Sequence, residues 1–332
     1  MKTSSLDLTT TYLGLSLRSP IIPSASPLSM HLAGLQEMEK CGAGAVVLNS
    51  LFEYPYNIHS QHPDHYCEAI ATAKRHLRIP IIASLNATTT DGWITLSRLI
   101  EKAGADALEL NVYNLSLNPD IPSVEIENAY IEAVQAATSS VEIPVAVKLP
   151  PFFTNLARMT KALDQAGAKG LVFFNRFFQP DLDLEKKGRD FSLNLSSSVE
   201  NRFSMNWISL LYRQTHIDLA ASTGISTGND VLKMILSGAC TTQVCSILMR
   251  CGIGWLKTIH QELQDCMEAH QFPSLKEARG MFSHNVTTTS GRIELEEHRQ
   301  ALQGYSLINV PTWYDEEPLK VTSNGVMSNL MP

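Results

Sequence analysis

The sequence predicts an α/β fold of the (β/α)8 barrel type, and three observations carry that expectation. A helical pattern that ends in Gly-Ala and leads into a short apolar run recurs along the chain. In alternation with it, a helix closes and an Ile-Pro pair opens the next apolar run. The runs are continuously apolar rather than alternating, as suits parallel strands buried on both faces. Eight such units over about 250 residues is the size of a closed parallel barrel. A doubly wound open sheet is the alternative that pattern alone leaves.

The elements follow in order. Pro20 to Ser26 is the first strand, and Val46-Val47-Leu48-Asn49, after Gly44-Ala45, is the second. Ile79-Pro80 introduces the third, Ile81 to Asn86, and Gly104-Ala105 precedes the fourth, Ala107 to Asn111. Ile143-Pro144 opens the fifth, Val145-Ala146-Val147-Lys148, and Gly167-Ala168 leads to the sixth, Leu171 to Asn175. Ile217 to Thr223 is the seventh, and Val244-Cys245-Ser246, after Gly238-Ala239, is the eighth. Gly ends a helix at low cost, and Pro at a strand's first position removes no ladder bond. Between the runs the apolar spacing is helical, as in Leu96, Leu99, Ile100 and Ala103, or Leu232, Ile235 and Leu236.

Two segments fall outside the repeat: Leu51 to Asp64 after the second strand and Gln179 to Ser204 after the sixth. Both are longer than ordinary barrel connections, and both are expected to lie over the strand C-termini. Beyond Ser283 the repeat is lost, and Leu307 to Pro332 is rich in Pro, Asn, Ser and acidic residues. The expected organisation is a single barrel domain over 1–305 and a C-terminal tail over 306–332.

Of 332 residues 44% are hydrophobic and 18% charged, a balance that can fill a large core. The net charge of −7 and the lack of any Lys/Arg run argue against a nucleic-acid or lipid surface. Met1 to Thr11 is polar, without the apolar core of a signal peptide, and no stretch approaches the roughly 18 apolar residues of a membrane span. A cytoplasmic location is expected. The cysteines, Cys41, Cys67, Cys240, Cys245, Cys251 and Cys266, include no CxxC pair, so neither a disulfide framework nor an iron–sulfur motif is expected. His59, His62, His65 and Cys67 have a spacing a metal could use, but histidines in a polar loop are more often simply exposed, and no metal is expected.

In barrels of this kind chemistry sits at the C-terminal ends of the strands. The residues closing the eight runs are Ser26, Asn49, Asn86, Asn111, Lys148, Asn175, Thr223 and Ser246, all polar. Any one of them reads as a cap or loop residue; the whole set is hard to ascribe to capping. Four amides and a lysine suit a flat polar ring with N–H and C=O edges. Lys148 ends an apolar strand, so it needs an anionic partner, either a structural carboxylate or a bound anionic group. The turn Ser222 to Thr227 and the pair Cys245-Ser246 close the seventh and eighth strands, where this fold commonly binds phosphate on backbone N–H groups and a helix N-terminus.

These residues carry a family likeness. Ala105 to Asn111, Val145-Ala146-Val147-Lys148-Leu149-Pro150-Pro151-Phe152-Phe153 and Ser222 to Thr227 resemble the strand phrases of the dihydroorotate dehydrogenases, most closely the soluble class 1 enzymes and their divergent relatives. The likeness runs from about Ser19 to Tyr305. It implies an FMN-linked oxidoreductase barrel acting on CH–CH groups. It further implies flavin contacts at Ala25, Ser26, Ser50, Asn86 and Asn111, and Lys148 near the flavin N1/O2 edge, where its charge favours the reduced anion. Asn175 falls at a substrate asparagine, and Thr223, Gly224 and Ser246 in the phosphate loops. The partners implied are a small-molecule substrate, an electron acceptor that the sequence does not name, and a second copy in a homodimer.

Several positions depart from the family pattern. Asn114 stands where the catalytic Cys or Ser is expected, three residues after Asn111, and an amide cannot take a proton near neutral pH. Ser116 falls at a substrate-binding asparagine, and Asn49 replaces a lysine. Tyr54 to His59 takes the place of the loop that grips orotate. Thr223 and Cys245 stand for glycines, and a Cβ at either is expected to crowd a phosphate. The leading reading is an FMN oxidoreductase with a substrate other than dihydroorotate. The alternatives are a true dihydroorotate dehydrogenase of pyrimidine biosynthesis that draws its base from elsewhere, and a degenerate barrel serving as a binding or scaffold subunit.

Overall fold

A computed structural model describes residues 6–53, 62–113, 116–176, 180–190, 192 and 194–284. Eight parallel strands form the barrel: β1 (Ile21–Pro23), β2 (Val46–Val47), β3 (Ile81–Asn86), β4 (Ala107–Asn111), β5 (Val145–Leu149), β6 (Gly170–Phe173), β7 (Asp218–Ala221) and β8 (Thr241–Val244). Hydrogen-bonded neighbours run β1-β8-β7-β6-β5-β4-β3-β2, which is the order of a (β/α)8 barrel. The seam between β1 and β2 is held by the Gly44 N–H donating to the Ile21 carbonyl at 2.9 Å. Gly44 is needed for that approach, since a Cβ there would lie 2.0 Å from the Ser19 carbonyl oxygen. The first helix is therefore ended not by Gly44 but by Gly42, at φ +99.

The outer helices are α1 (Leu32–Lys40), α2 (Pro63–His76), α3 (Thr90–Lys102), α4 (Ser123–Thr138), α5 (Leu156–Gln165), α6 (Asn201–Leu211), α7 (Gly228–Ser237), α8 (Ser246–Cys251), α9 (Trp255–Ala269) and α10 (Leu275–Ala278). One apolar cluster fills the space between strands and helices. A second fills the lower barrel interior and includes Ile22, Val47, Ile82, Ala107, Ala146 and Val172. An N-terminal hairpin, Thr10–Tyr12 with Leu15–Leu17, closes that end and buries Tyr12, Leu13 and Leu17 in this second cluster. Leu13 and Gly14 both take positive φ, 55 and 75, as a two-residue hairpin turn requires. The small residues Ala107, Ala146 and Ala220 belong to the same cluster as the Tyr12 ring.

Three expectations need correction. The eighth strand is Thr241–Val244, not Val244–Ser246, and Ser246 begins α8. Thr241, Thr242 and Gln243 look like loop residues, yet all are buried. The second strand does not stop at Asn49: Leu51–Phe52 also pairs with β3. Between Val47↔Ile82 and Leu51↔Leu85 the chain advances four residues on one strand and three on the other. One residue is thus extra, which defines a β-bulge. Third, the insertion expected to end at Asp64 overlaps α2, and the one expected to end at Ser204 overlaps α6. Within the later insertion, Asp181–Asp183 and Gly188–Asp190 form an antiparallel hairpin. The barrel is one compact unit reaching Asn285, and the expected boundary at 305 and the tail 306–332 lie outside the described residues. Among the described residues, no helix is long and apolar enough to cross a membrane.

Candidate functional site

Alternation along the strands turns every second side chain inward. Two residues beyond the apolar layer of Ile22, Ile82, Ala107 and Ala146 stand Ser24, Ser84, Glu109 and Lys148, joined by Gln243 from β8. These polar groups are buried. The Lys148 Nζ donates to Ser24 Oγ at 2.9 Å and to Gln243 Oε1 at 2.8 Å, and lies 3.6 Å from Glu109 Oε1. The Gln243 amide N–H donates to Glu109 Oε2. The anionic partner expected for Lys148 is thus present within the protein, as Glu109.

Above this layer a cleft opens at the strand C-termini, lined among others by Ala25, Lys148, Asn175, Arg176, Gly224 and Cys245. Thr223 and Ser246 line it too. Asn175 joins Asn111 to this group, its amide donating to Asn111 Oδ1 at 2.6 Å. Ser26, buried at the head of the loop before α1, accepts from the Ser29 amide at 3.0 Å. Ser50 turns inward onto Ser84, their hydroxyl oxygens 2.8 Å apart, and Asn86 closes β3 half-buried. Burial pushes the Cys245 thiol above its ordinary value, while Lys148 pulls the other way.

The β7 loop is held rigidly. Asn201 on α6 donates to the Gly224 carbonyl (3.3 Å) and to Asp230 (2.9 Å), and Ser204 donates to the Ser222 carbonyl (3.0 Å). Thr223 takes φ +72, a backbone conformation that favours glycine, and its hydroxyl donates to the Phe174 carbonyl at 3.0 Å. The loop therefore keeps the glycine-type conformation without the glycine. The first turn of α7 is closed by its own capping box, Thr227 with Asp230, and Glu262 accepts from the Gly228 amide at 2.8 Å. One donor that this loop carries to the cleft is the Gly224 N–H. It meets Ser196 Oγ at 3.2 Å, and Ser196 Oγ in turn lies 2.9 Å from Ser246 Oγ. Arg250 fixes this strap by donating to the Leu195 and Ser196 carbonyls (3.1 and 2.9 Å). The Ser196 hydroxyl thus accepts from the β7 loop and donates to Ser246 at the head of α8.

Two expected residues lie elsewhere. The bulge turns Asn49 away from the interior, and it lines a cleft between α1 and α2 with His65, Glu68 and Thr72. Ser116 lines a separate cleft near the start of α4, with Tyr113, Glu127 and Phe152. Asn114 lies outside the described residues, as does His59. His62 accepts from the Asp64 amide as the N-cap of α2, and Cys67 donates to the Leu99 carbonyl on the neighbouring helix. Among the described residues, no group of three His, Cys, Asp or Glu side chains is placed to hold a metal.

Ser24, Glu109, Gln243, Ser196 and Arg176 escaped the strand-end reading. For Ser24 and Glu109 a signal existed: each sits two residues before a singled-out position, or two after an interior one, on its own strand. For Ser196 and Arg176 there was none, since long-range packing brings them in.

The donor set suits a flavin mononucleotide. A buried ammonium and amide edges suit the polar rim of a flavin ring, and the Gly224 N–H with the Ser246 hydroxyl at the head of α8 suits a phosphate; Arg176 nearby is paired with Glu200 at 2.9 Å.

Comparison with known proteins agrees with this geometry. The family model described as "Dihydroorotate dehydrogenase" matches residues 58–267. The catalytic subunit of dihydroorotate dehydrogenase B (NAD(+)) from Thermoplasma volcanium is 24% identical over 303 residues, covering 83% of this chain and 98% of its own. The same subunit from Anoxybacillus flavithermus is 25% identical over 257 residues, covering 68% and 80%. The NAD-dependent dihydropyrimidine dehydrogenase subunit PreA of Escherichia coli K12 is 24% identical over 324 residues, covering 84% and 78%. With more than half its length matched by the family model, on a barrel whose mouth carries Lys148 and its amides, the chain belongs to the dihydroorotate dehydrogenase family.

Proposed function

We propose that the chain is an FMN-dependent oxidoreductase acting on a CH–CH bond of a small polar ring compound other than dihydroorotate. The observation that carries this reading is Lys148, a buried cation at the floor of a polar cleft, bonded to Ser24 and Gln243 and turned toward amide-bearing strand ends. FMN, when bound, supplies the two-electron acceptor for the substrate. Lys148 contributes a fixed positive charge where negative charge gathers on reduction, an electrostatic effect that needs no reorganisation because the network already holds the side chain. Asn111 and Asn175, paired with each other, present the remaining amide donors and acceptors to flavin and substrate. Gly224 and Ser246 would hold the phosphate, with Ser196 turning aside or sharing their hydrogen bonds, while the charge of Arg176 is already paired with Glu200 at 2.9 Å. The CH–CH oxidation sends a hydride to the flavin and leaves a proton that needs an acceptor; Asn114, at the position of the family's base, is not one, so in this reading the proton passes to water. That difference favours a substrate other than dihydroorotate.

Relatives named as catalytic subunits motivate a second element: electrons leave through a partner protein rather than through a soluble oxidant. Anaerobic mixing of the FMN-loaded protein with dihydroorotate and, separately, with dihydropyrimidines tests the substrate assignment. Bleaching by a dihydropyrimidine and none by dihydroorotate is expected; rapid bleaching by dihydroorotate overturns it.

A further inference from the structure

Lys148 does not meet the cleft as a lone charge. Glu109, 1% exposed, sits 3.6 Å from its ammonium, and Gln243 bridges the two with its carbonyl on the lysine and its amide on the carboxylate. That orientation of Gln243 is forced, because an ammonium only donates and a carboxylate only accepts. Glu109 is under-satisfied: its Oε1 makes no hydrogen bond within the protein. A buried, incompletely bonded ion pair is a poor stabiliser compared with apolar side chains of the same volume. In a barrel whose next layer down is built mainly of Ile, Val and Ala side chains, this pair is not explained by packing.

We propose that Glu109 is a positioning residue that aims Lys148 at the cleft and offsets part of its charge, and so lowers the midpoint potential of the flavin bound there. The proposal rests on the flavin reading above. Coulombic effects are large where water is excluded, and two carboxylate oxygens beneath the ammonium subtract from the field that a reduced flavin feels. Removing the carboxylate charge while keeping the shape therefore favours the reduced cofactor.

The test is the midpoint potential of full-length, FMN-loaded wild type, Glu109→Gln and Glu109→Asp, measured against reference dyes together with the dissociation constant of oxidised FMN. Glu109→Gln is expected to raise the affinity for reduced over oxidised FMN at least tenfold, a positive shift of about 30 mV for a two-electron couple. Glu109→Asp, which keeps the charge but withdraws it by one methylene, is expected to fall between, and it decides the matter if Glu109→Gln does not fold. Wild type that binds FMN with a potential unmoved in the variants overturns the proposal and leaves the flavin reading standing. Wild type that takes up no FMN overturns both.

Discussion

Two adjacent layers of one barrel interior differ in character. The lower layer holds Ile22, Val47, Ile82, Ala107, Ala146, Val172 and Ala220 packed on the Tyr12 hairpin. The upper layer holds Ser24, Ser84, Glu109, Lys148 and Gln243, wired by hydrogen bonds and an ion pair. On β1, β3, β4 and β5 the same strand supplies both, two residues apart, a step of roughly 6.6 Å. The lower layer closes the fold and the upper one serves the cleft. A sequence that looks uniformly apolar therefore carries a sharp boundary between stability and chemistry inside the barrel.

The largest effect should come from breaking the upper layer. Lys148→Met leaves Glu109 buried without its cation, and a loss of about 3–5 kcal/mol in unfolding free energy is expected. FMN affinity should fall with it. The double variant Lys148→Met/Glu109→Gln should recover most of the stability but not the affinity; denaturant unfolding and flavin titration separate the two.

Next in size is a change confined to the lower layer. The Tyr12 hydroxyl is buried with no hydrogen-bond partner within the protein, so Tyr12→Phe should stabilise by about 1 kcal/mol, as removal of an unpaired buried polar group does. FMN binding should not move. Altered flavin affinity in this variant would show that the two layers are not independent.

A smaller effect is expected at the rim. Thr223 holds a left-handed conformation that costs a β-branched residue about 1–2 kcal/mol, partly offset by its bond to the Phe174 carbonyl. Thr223→Gly should leave stability nearly unchanged and tighten FMN severalfold by clearing the cleft, as read by fluorescence titration.

The smallest effect is a pH slope from the base of the fold. His260, bonded to Ser19 at 2.9 Å, is held below its ordinary value by burial and then by Arg18. Its neutral form is favoured in the folded state, so its contribution is complete above about pH 6.5. That contribution is lost as pH falls from there through the depressed folded value. His260→Gln should flatten that part of the stability profile.

How much of this was legible beforehand depended on whether a feature was local. The Gly-Ala and Ile-Pro phrases mark strand starts because Gly and Pro act on their own backbone; they located five of the eight strands closely, and the first and seventh followed from their own apolar runs. The eighth was misplaced because Thr241-Thr242-Gln243 is polar, although Gly238-Ala239 stands just before it as in the other repeats. The bulge between Val47 and Leu51 was invisible, since register belongs to two strands and not to one. The same limit hid the hairpin plug, the Glu109 partner of Lys148, and the strap that carries Ser196 to Gly224 and Ser246.

The central claim is that the upper layer and the cleft above it form a flavin site. Titrating purified, flavin-stripped protein with FMN, following quenching of flavin fluorescence, tests it most directly. Saturable binding of one FMN per chain, strongly weakened in Lys148→Met and unaffected in Tyr12→Phe, is the result expected. No saturable binding to folded wild-type protein, or binding indifferent to Lys148, would contradict it.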